Sequence, residues 1–298
     1  MDVLNVKGLV KSFGKKEVLR GLDLSVPERA VFGFVGKNGA GKTTTMKAVL
    51  GLLKADEGEI YVAGERVVFG QTPTNKYIGY LPDVPTFYSY MTAREYLKLS
   101  GECLGLCADE IASRTDELLA LVGLSEENGR IKGYSRGMKQ RLGIAQALLG
   151  KPKLLICDEP TSALDPIGRK QILDILFSVR EQTTVIFSTH ILSDVERICT
   201  DVAIINNGKI EMQGPVGELR NMSLDEGFII EMSDGGELAK VRDSFPDARE
   251  IDGGLEFVGG DEKMFCVLDF IRAKGLSLRK LERKEASLES LFMEVVEK

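Results

Sequence analysis

Hydrophobic and polar residues alternate along the first part of the chain. The alternation over residues 3–9 and 18–26 predicts two strands, and the polar segment Gly14-Lys15-Lys16-Glu17 between them predicts a turn. We therefore expect an antiparallel β edge. A short apolar run over residues 30–35 follows and is typical of a buried strand, and the residues from 41 to about 53 predict a helix.

The spacing of apolar residues becomes helical between residues 92 and 149. This spacing is carried by Leu97, Leu104, Ile111, Leu118, Leu119 and Val122. Two short predicted strands, residues 60–62 and 78–81, precede it. We therefore expect a helical subdomain that is inserted over about residues 84–150.

Two further apolar runs, residues 154–157 and 184–188, predict buried strands. The helix between them is expected to begin at Pro166, because proline is favoured in the first turn. Residues 202–212 predict a hairpin that turns at Asn207-Gly208. Strands and helices that alternate in this way predict an α/β fold with a mainly parallel sheet, whose ligands bind at the carboxyl ends of the strands.

The pattern changes after Gly217, where a small α+β appendage is predicted. Residues 1–217 and 218–298 are therefore interpreted as two domains. In the second, the pattern predicts strand, helix, strand, strand, helix and strand, followed by a helix, at residues 227–232, 237–245, 249–251, 255–258, 262–274, 276–282 and 287–296.

Composition and charge restrict the classes of function. The 298 residues include 39 Lys and Arg against 45 Asp and Glu, for a formal net charge of -6, which disfavours a nucleic-acid partner. The start of the chain lacks the pattern of a secretory signal, and no apolar run approaches the ~20 residues that span a bilayer. We expect a separate chain to supply any membrane-spanning helices.

The cysteines are odd in number and widely scattered, which fits neither a disulfide framework nor a zinc site. They are Cys103, Cys107, Cys157, Cys199 and Cys266. We interpret them as reduced thiols in a cytoplasmic compartment, with small core residues as the simpler alternative.

One segment between a predicted strand and a predicted helix has the pattern of a phosphate-binding loop. It reads Gly36-Lys37-Asn38-Gly39-Ala40-Gly41-Lys42-Thr43, a glycine and four free positions followed by Gly-Lys-Thr. The glycines allow successive N–H groups to converge on an anion, and the helix N-terminus adds to their field. Lys42 would reach the β- and γ-phosphates, and the Thr43 hydroxyl would hold Mg²⁺. The alternative is a glycine-rich turn that binds nothing, which the flanking elements disfavour.

Four more segments accompany this loop. They are residues 134–141 (YSRGMKQR), Asp158-Glu159, residues 162–165 (SALD) and residues 188–190 (STH). With the phosphate loop, and in this order, they make residues 1–217 resemble ATP-binding-cassette ATPases. Residues 286–292 (ASLESLF) resemble the extension of cassettes of the drug, antibiotic and polysaccharide export type.

The resemblance implies roles for the site residues. Asp158 would order Mg²⁺ through its water shell, Glu159 would orient and deprotonate the attacking water, and His190 would contact the γ-phosphate and hold Glu159 in line. The nucleotide-binding residues would be Phe13, Gly36, Asn38, Gly39, Ala40, Gly41, Lys42, Thr43, Thr44 and Asp83, with Lys42 also catalytic and Thr43, Asp158 and Asp83 at the metal. Two acids that begin a loop are the alternative for Asp158-Glu159, and a lone structural histidine is the alternative for His190. A core position in the edge strand competes with adenine stacking for Phe13.

The segment Ser135-Arg136-Gly137-Met138 resembles the cassette signature, which binds the γ-phosphate of ATP held by a facing subunit. A helix N-terminus there would favour that anion. This implies that ATP joins two cassettes and that hydrolysis separates them. Asp165 would lie at the dimer seam, cap the helix that follows it, or do both.

Two residues depart from the family pattern. Asp83 replaces the usual glutamine, and a carboxylate can hold a water on Mg²⁺ but cannot donate to the attacking water. Arg136 replaces the first signature glycine, and it either adds positive charge near the phosphate of the facing subunit or points to solvent. Because Ser135 and Gly137 are retained, we still expect activity.

The resemblance implies an ATP- and Mg²⁺-dependent subunit of a membrane transporter, with export as the favoured direction. It would act as a homodimer or heterodimer, peripheral on the inner face of the cell membrane, beneath a separate transmembrane permease. The segment at residues 84–91 would form a partner surface, with local packing of Phe87 and Tyr88 as the alternative.

Two other functions are considered. A soluble cassette ATPase that acts on ribosomes or DNA would usually carry two cassettes, long coiled-coil insertions or basic tails, and the sequence has none of these. A small-molecule kinase with the same phosphate loop does not account for Ser135, Gly137, Asp165 and His190 together.

Overall fold

The computed structural model describes residues 2–70, 73–222, 227–284 and 288–297. The chain folds as two compact units, Met1–Val216 and Gly217–Lys298. No helix in the described part of the chain is long and apolar enough to cross a membrane.

The first unit begins with an antiparallel sheet. Its strands are β1 (Asp2–Phe13), β2 (Lys16–Pro27), β4 (Glu57–Val62) and β5 (Glu65–Arg66), in the order β2-β1-β4-β5. The long β1 and β2 pair from Asp2 opposite Pro27 to Phe13 opposite Lys16, as their alternation predicts. The predicted antiparallel edge is therefore present as a sheet of four strands.

A second sheet is mainly parallel. It contains β3 (Val31–Val35), β6 (Ile78–Leu81), β7 (Leu154–Cys157), β8 (Thr184–Thr189), β9 (Asp201–Asn206) and β10 (Lys209–Pro215), in the order β10-β9-β3-β8-β7-β6. Only the β9–β10 hairpin is antiparallel, and it turns at Asn207 and Gly208, which both have positive φ. The carboxyl ends of β3, β7 and β8 therefore meet at one edge, where the site residues follow.

The hydrophobic core lies on both faces of the parallel sheet. Along β3, Phe32 and Phe34 belong to the cluster shared with the antiparallel sheet, whereas Val31 faces the cluster shared with the helices. Successive side chains of β7 also alternate between the two clusters. Burial on both faces explains why these strands are continuous apolar runs in the sequence.

The described part of the first unit contains six helices: α1 (Lys42–Val49), α2 (Ala93–Cys103), α3 (Ala108–Leu121), α4 (Arg136–Leu148), α5 (Pro166–Ser178) and α6 (Leu192–Ile198). A seventh helix, α7 (Val216–Met222), begins at the last residue of this unit. Side chains cap three of these helices: Thr92 forms a capping box with Glu95 at α2, and Ser135 and Asp165 cap α4 and α5. The α2–α4 segment is the predicted helical insertion between β6 and β7.

Two predictions about the helices are wrong in detail. The helix expected to extend to about residue 53 ends at Val49, because Gly51 adopts φ 68° and the N–H groups of Gly51 and Leu52 bond to the carbonyls of Ala48 and Lys47. Leu104, predicted on the buried face, is 56% exposed, since it lies just after α2 ends.

The second unit is the predicted α+β appendage. Its elements are β11 (Gly227–Met232), α8 (Gly235–Ser244), β12 (Arg249–Ile251), β13 (Gly254–Val258), α9 (Asp261–Ala273), β14 (Leu278–Lys284) and α10 (Leu288–Glu297). The strands form an antiparallel sheet in the order β12-β13-β11-β14. Ala286 and Ser287 of the predicted export-type extension lie outside the described residues.

Candidate nucleotide-binding and catalytic site

The phosphate loop joins β3 to α1 and lies at the carboxyl edge of the parallel sheet. Gly39 and Gly41 adopt φ 85° and 116°, which side chains disfavour. A Cβ at Gly36 would lie 2.6 Å from the carbonyl oxygen of Ile205, so the loop approaches β9 too closely for any other residue. The loop also forms most of the wall of a pocket of about 360 Å³, whose lining residues are Lys16, Val18, Lys37, Asn38, Gly39, Gly41, Lys42, Thr43, Thr44 and Glu159.

Lys42 is buried within this loop. Its Nζ donates to the carbonyl of Gly36 at 2.6 Å and forms an ion pair with Glu159 Oε1 at 3.2 Å. Carbonyls and a carboxylate thus compensate a charge that is only 6% exposed. The ammonium group is held at the pocket wall, where it can meet phosphate oxygens.

Thr43 and Asp158 approach one another across the sheet edge. Thr43 Oγ1 donates to Asp158 Oδ1 at 3.2 Å, and Ser188 Oγ donates to the same oxygen at 2.7 Å. Hydroxyl and carboxylate oxygens are ligands that Mg²⁺ prefers, and the ion commonly keeps waters and phosphate oxygens besides one or two protein groups. The residues present therefore fit a Mg²⁺ ion, although no cluster of three or more His, Cys, Asp or Glu side chains suited to a metal occurs in the described residues.

Glu159 follows β7 in a left-handed backbone conformation, with φ 48°. Its N–H donates to Ser188 Oγ at 2.8 Å, and its Oε2 lies 3.0 Å from His190 Nδ1. A non-glycine residue at positive φ costs free energy that the surrounding structure must offset. The carboxylate is thereby fixed between Lys42 on one side and His190 on the other.

Burial at this edge of the sheet raises the pKa of two groups near Asp158. Burial, followed by the charge of Asp158, raises the pKa of Tyr80 to about 12. Burial also raises the pKa of the Cys157 thiol, which immediately precedes Asp158. Both groups therefore stay neutral at physiological pH.

The signature segment begins α4. Ser135 caps the helix by accepting from the N–H of Met138 at 3.2 Å, and Gly137 is open, since an added Cβ would meet nothing closer than Leu164 at 3.9 Å. Arg136 is half-exposed, and its guanidinium Nη2 lies 3.5 Å from Asp83 Oδ1 and 3.3 Å from Ser162 Oγ. The two residues that depart from the expected pattern are thus in contact with each other.

Comparisons with known proteins agree with this geometry. The family model described as ABC transporter matches residues 19–162. The chain is 37% identical over 305 residues to the uncharacterized ABC transporter ATP-binding protein YxlF of Bacillus subtilis (strain 168), and the match covers 99% of each protein. The chain belongs to the ABC transporter ATP-binding proteins.

Two further matches extend this result. The bacitracin transport ATP-binding protein BcrA of Bacillus licheniformis is 33% identical, with 99% of this chain and 97% of that protein covered. A solved ATP-binding subunit of an ABC transporter matches with a TM-score of 0.66 and 31% identity, covering 74% of this chain and 92% of that one. The predicted family, fold class and ATPase activity are confirmed, and ATP-binding subunits of this family dimerise and pair with transmembrane permease components.

Phe13 and Asp165 of this ABC subunit do not line the phosphate-loop pocket. Phe13, at the end of β1, is 51% exposed and therefore not the core residue of the alternative interpretation, but it does not line the pocket described above. Asp165 accepts from the N–H of Gly168 at 2.9 Å and so caps α5. Stacking of Phe13 on adenine and a seam role for Asp165 remain predictions.

The aromatic side chains of residues 84–91 differ in their burial. Phe87 packs against the core with its ring 5.0 Å from that of Tyr96, in an edge-to-face arrangement. Tyr88 and Tyr90 are 54% and 61% exposed. Phe87 thus packs locally, and the ring of Tyr88 lies 5.9 Å from that of Tyr90 and 6.3 Å from that of Tyr96. A partner surface at this segment stays a prediction.

Sequence reasoning missed a buried network next in the chain to Glu159 and His190. Asp194, in the first turn of α6, accepts from Thr161 Oγ1 at 2.8 Å and from Arg169 Nε at 2.6 Å. The sequence indicates Ser188 only as part of the segment at residues 188–190 and does not predict its role. In the structure it links Asp158 to the N–H of Glu159.

Proposed function

We propose that Glu159 is the base for ATP hydrolysis in a dimer of cassettes that drives export through a separate permease. The observation that carries the proposal is the position of the Glu159 carboxylate, 3.0 Å from His190 Nδ1 and 3.2 Å from Lys42 Nζ. A carboxylate at a phosphate-binding pocket, oriented by a histidine, suits the activation of an attacking water.

The remaining loop residues bind and orient ATP. The N–H groups from Gly39 to Thr44 face the phosphates, and Lys42 exchanges its contact with Glu159 for phosphate oxygens, which frees the carboxylate for water. Thr43 and Asp158 would hold Mg²⁺, which neutralises charge on the phosphates. Asp83, the third residue predicted at the metal, bonds through its carboxylate to Ser162 and Arg136 instead, and we leave it out of the metal site. Ser188 fixes the Asp158 carboxylate relative to the backbone of Glu159 through its two hydrogen bonds.

The second half of the site comes from a facing cassette. Ser135, Gly137 and Met138 lie at the N-terminus of α4, where the helix dipole favours a γ-phosphate. ATP would therefore hold two cassettes together until hydrolysis removes that contact. Asp165, which caps α5, would lie at the seam between them.

Export is supported by the similarity to BcrA, whose name describes bacitracin transport. The subunit would be peripheral on the cytoplasmic face of the membrane, with the catalytic domain at residues 1–217 and the accessory domain at 218–298. The exposed Tyr88 and Tyr90 supply a surface for the permease. The reported relatives are transport proteins, which disfavours action on ribosomes or DNA.

The test is the substitution Glu159→Gln. We expect ATP binding to be retained, turnover to fall by about 10²–10⁴-fold because the base is lost, and an ATP-dependent dimer to accumulate. Steady-state phosphate release and sedimentation velocity with ATP measure the two effects. In cells that also express the permease, the same variant should abolish drug efflux.

Glu181→Gln is the matched control, since Glu181 is exposed and pairs only with the adjacent Arg180 in the described residues. It should leave turnover and dimerisation unchanged. Normal turnover of Glu159→Gln would overturn the assignment of the base. Stable association with ribosomes, and none with an integral membrane protein, would overturn the transport proposal.

A further inference from the structure

A cluster of three polar side chains joins separate segments of the catalytic unit. Asp83 follows β6, Arg136 begins α4, and Ser162 lies in the turn after Glu159. Asp83 Oδ1 accepts from Ser162 Oγ at 2.5 Å and from Arg136 Nη2 at 3.5 Å, and the same guanidinium nitrogen lies 3.3 Å from Ser162 Oγ. We call these residues the Asp83 cluster.

We propose that Asp83 restrains Arg136 within its own subunit, so that ATP on a second copy of this chain must compete with Asp83 for the guanidinium. The inference rests on the proposed function, in which the N-terminus of α4 meets the γ-phosphate of the facing subunit. It assigns Asp83 a role as a positioning residue that sets how much ATP is needed for dimer formation.

Charge and exposure support competition. The side chains of Arg136 and Asp83 are 46% and 47% exposed, and exposed ion pairs are worth little, so their contact exchanges easily. An arginine binds phosphate by charge-assisted hydrogen bonds, which are stronger when the guanidinium is not already paired with a carboxylate. Because Asp83 carries the same sign of charge as ATP, its presence beside Arg136 weakens the attraction for the incoming phosphate.

The backbone around Asp83 is held independently of its carboxylate. Gln140, a fully buried residue of α4, donates from Nε2 to the Asp83 carbonyl at 2.9 Å. A change of the Asp83 side chain therefore leaves this anchor between α4 and the segment after β6 in place. In Asp83→Asn, the amide oxygen can still accept from Ser162, so the charge is removed and the shape is kept.

The experiment measures ATP-dependent dimerisation in the Glu159→Gln background, in which hydrolysis does not deplete the dimer. The ATP concentration for half-maximal dimerisation is determined by sedimentation velocity for the parent, Asp83→Asn, Arg136→Gln and the double variant. Each value is divided by the ATP dissociation constant of the monomer, measured at low protein concentration, which separates dimer formation from binding at the phosphate loop.

We expect the two single variants to shift this ratio in opposite directions. Asp83→Asn should lower it about two- to fivefold, the range of an exposed ion pair, because Arg136 is released. Arg136→Gln should raise it, because the phosphate loses a cation. The double variant should match Arg136→Gln alone, because Asp83 acts through Arg136.

Asp174→Asn is the control, since Asp174 pairs with Arg197 at 3.0 Å with similar exposure and should leave the ratio unchanged. If both single variants shift the ratio in the same direction, or if Asp83→Asn has no effect, the Asp83 cluster is only structural and the inference is wrong. If the parent forms no ATP-dependent dimer, the proposed dimer function fails, and this inference fails with it.

Discussion

Asp194 lies four positions after His190, in the first turn of α6, with only 2% of its surface exposed, and both carboxylate oxygens accept hydrogen bonds. In Asp194→Asn the amide oxygen can accept from Arg169 and the amide nitrogen can donate to the Thr161 hydroxyl, so the substitution removes the negative charge that faces Arg169 and keeps the shape. A hydrogen bond to a charged group contributes about 1.5–3 kcal/mol, and we expect a loss of about 1–3 kcal/mol in the free energy of unfolding, measured by urea titration. ATP turnover should also fall, because Asp194 orders the start of α6 just after His190.

The exposed pair of Arg242 with Asp243 provides the comparison for this prediction. Asp243→Asn should change the free energy of unfolding by less than about 0.5 kcal/mol, since exposed ion pairs contribute little. Equal effects of the two asparagine substitutions would contradict the importance of the buried network.

The proximity of the candidate catalytic residues could be predicted from the sequence because their segments follow apolar strands. In a parallel sheet those strand ends meet, which places the segments of Lys42, Asp158 and His190 at one edge, whereas the roles assigned to them come from the family resemblance. The contact of Asp83 with Arg136 could not be predicted, because 53 positions separate them and no periodicity connects them. It depends on how α4 packs against β6.

That packing is itself unusually close. A Cβ on Gly79 of β6 would lie 2.2 Å from the carbonyl oxygen of Ala147 in α4 and 3.1 Å from Pro152. Gly79→Ala must therefore separate α4 from the sheet, at a cost of about 1–3 kcal/mol typical of overpacking. We expect a lower urea midpoint and, because α4 carries the signature segment, weaker ATP-dependent dimerisation.

Gly129→Ala is the matched substitution, since Gly129 has no positive φ and nothing within 4 Å of an added Cβ. Its midpoint should equal that of the parent protein. A Gly79→Ala protein with an unchanged midpoint would show that α4 can move without cost.

The two predicted helix ends differ in how well the local sequence indicates them. The start of α5 is predicted correctly by Pro166, whose fixed φ suits the first turn. The end of α1 is predicted wrongly because Leu52 and Leu53 continue the apolar pattern beyond Gly51, although Leu52 is 64% exposed. The hydrogen bonds at Gly51 determine the end of the helix, and the glycine was the available signal.

In the chain as a whole, the second unit shows the limit of local pattern. The periodicity of its sequence predicts which segments are helices and which are strands, but it does not predict the order of the strands in the sheet. Alternation in β11 and β13 and the helical spacing in α9 predict each element. Several sheet orders use the same elements, and the observed one brings Phe228 and Phe257 into a stacked pair 4.8 Å apart. Such pairing over long sequence separations is not encoded in local pattern.

The cysteines differ in their exposure to solvent in both units. Cys103 and Cys107 are exposed in the first unit, and Cys266 is exposed in the second, whereas Cys157 is buried in β7. Burial raises the pKa of the Cys157 thiol, and it raises that of Cys199 well above its ordinary value. The interpretation as small core residues therefore fits Cys157 and does not fit the three exposed thiols.

Alkylation of the native protein should follow this division. The thiolate is the reactive form, and a raised pKa lowers its fraction, so near neutral pH iodoacetamide should modify Cys103, Cys107 and Cys266 well before Cys157 or Cys199. Mass spectrometry of peptides after timed quenching gives the rate at each site. Replacing the three exposed cysteines by serine should remove nearly all fast labelling, and labelling of Cys157 and Cys199 should then appear only as urea unfolds the first unit. Modification of native Cys157 as fast as Cys103 would show that β7 opens to solvent without unfolding, which the buried sheet does not allow.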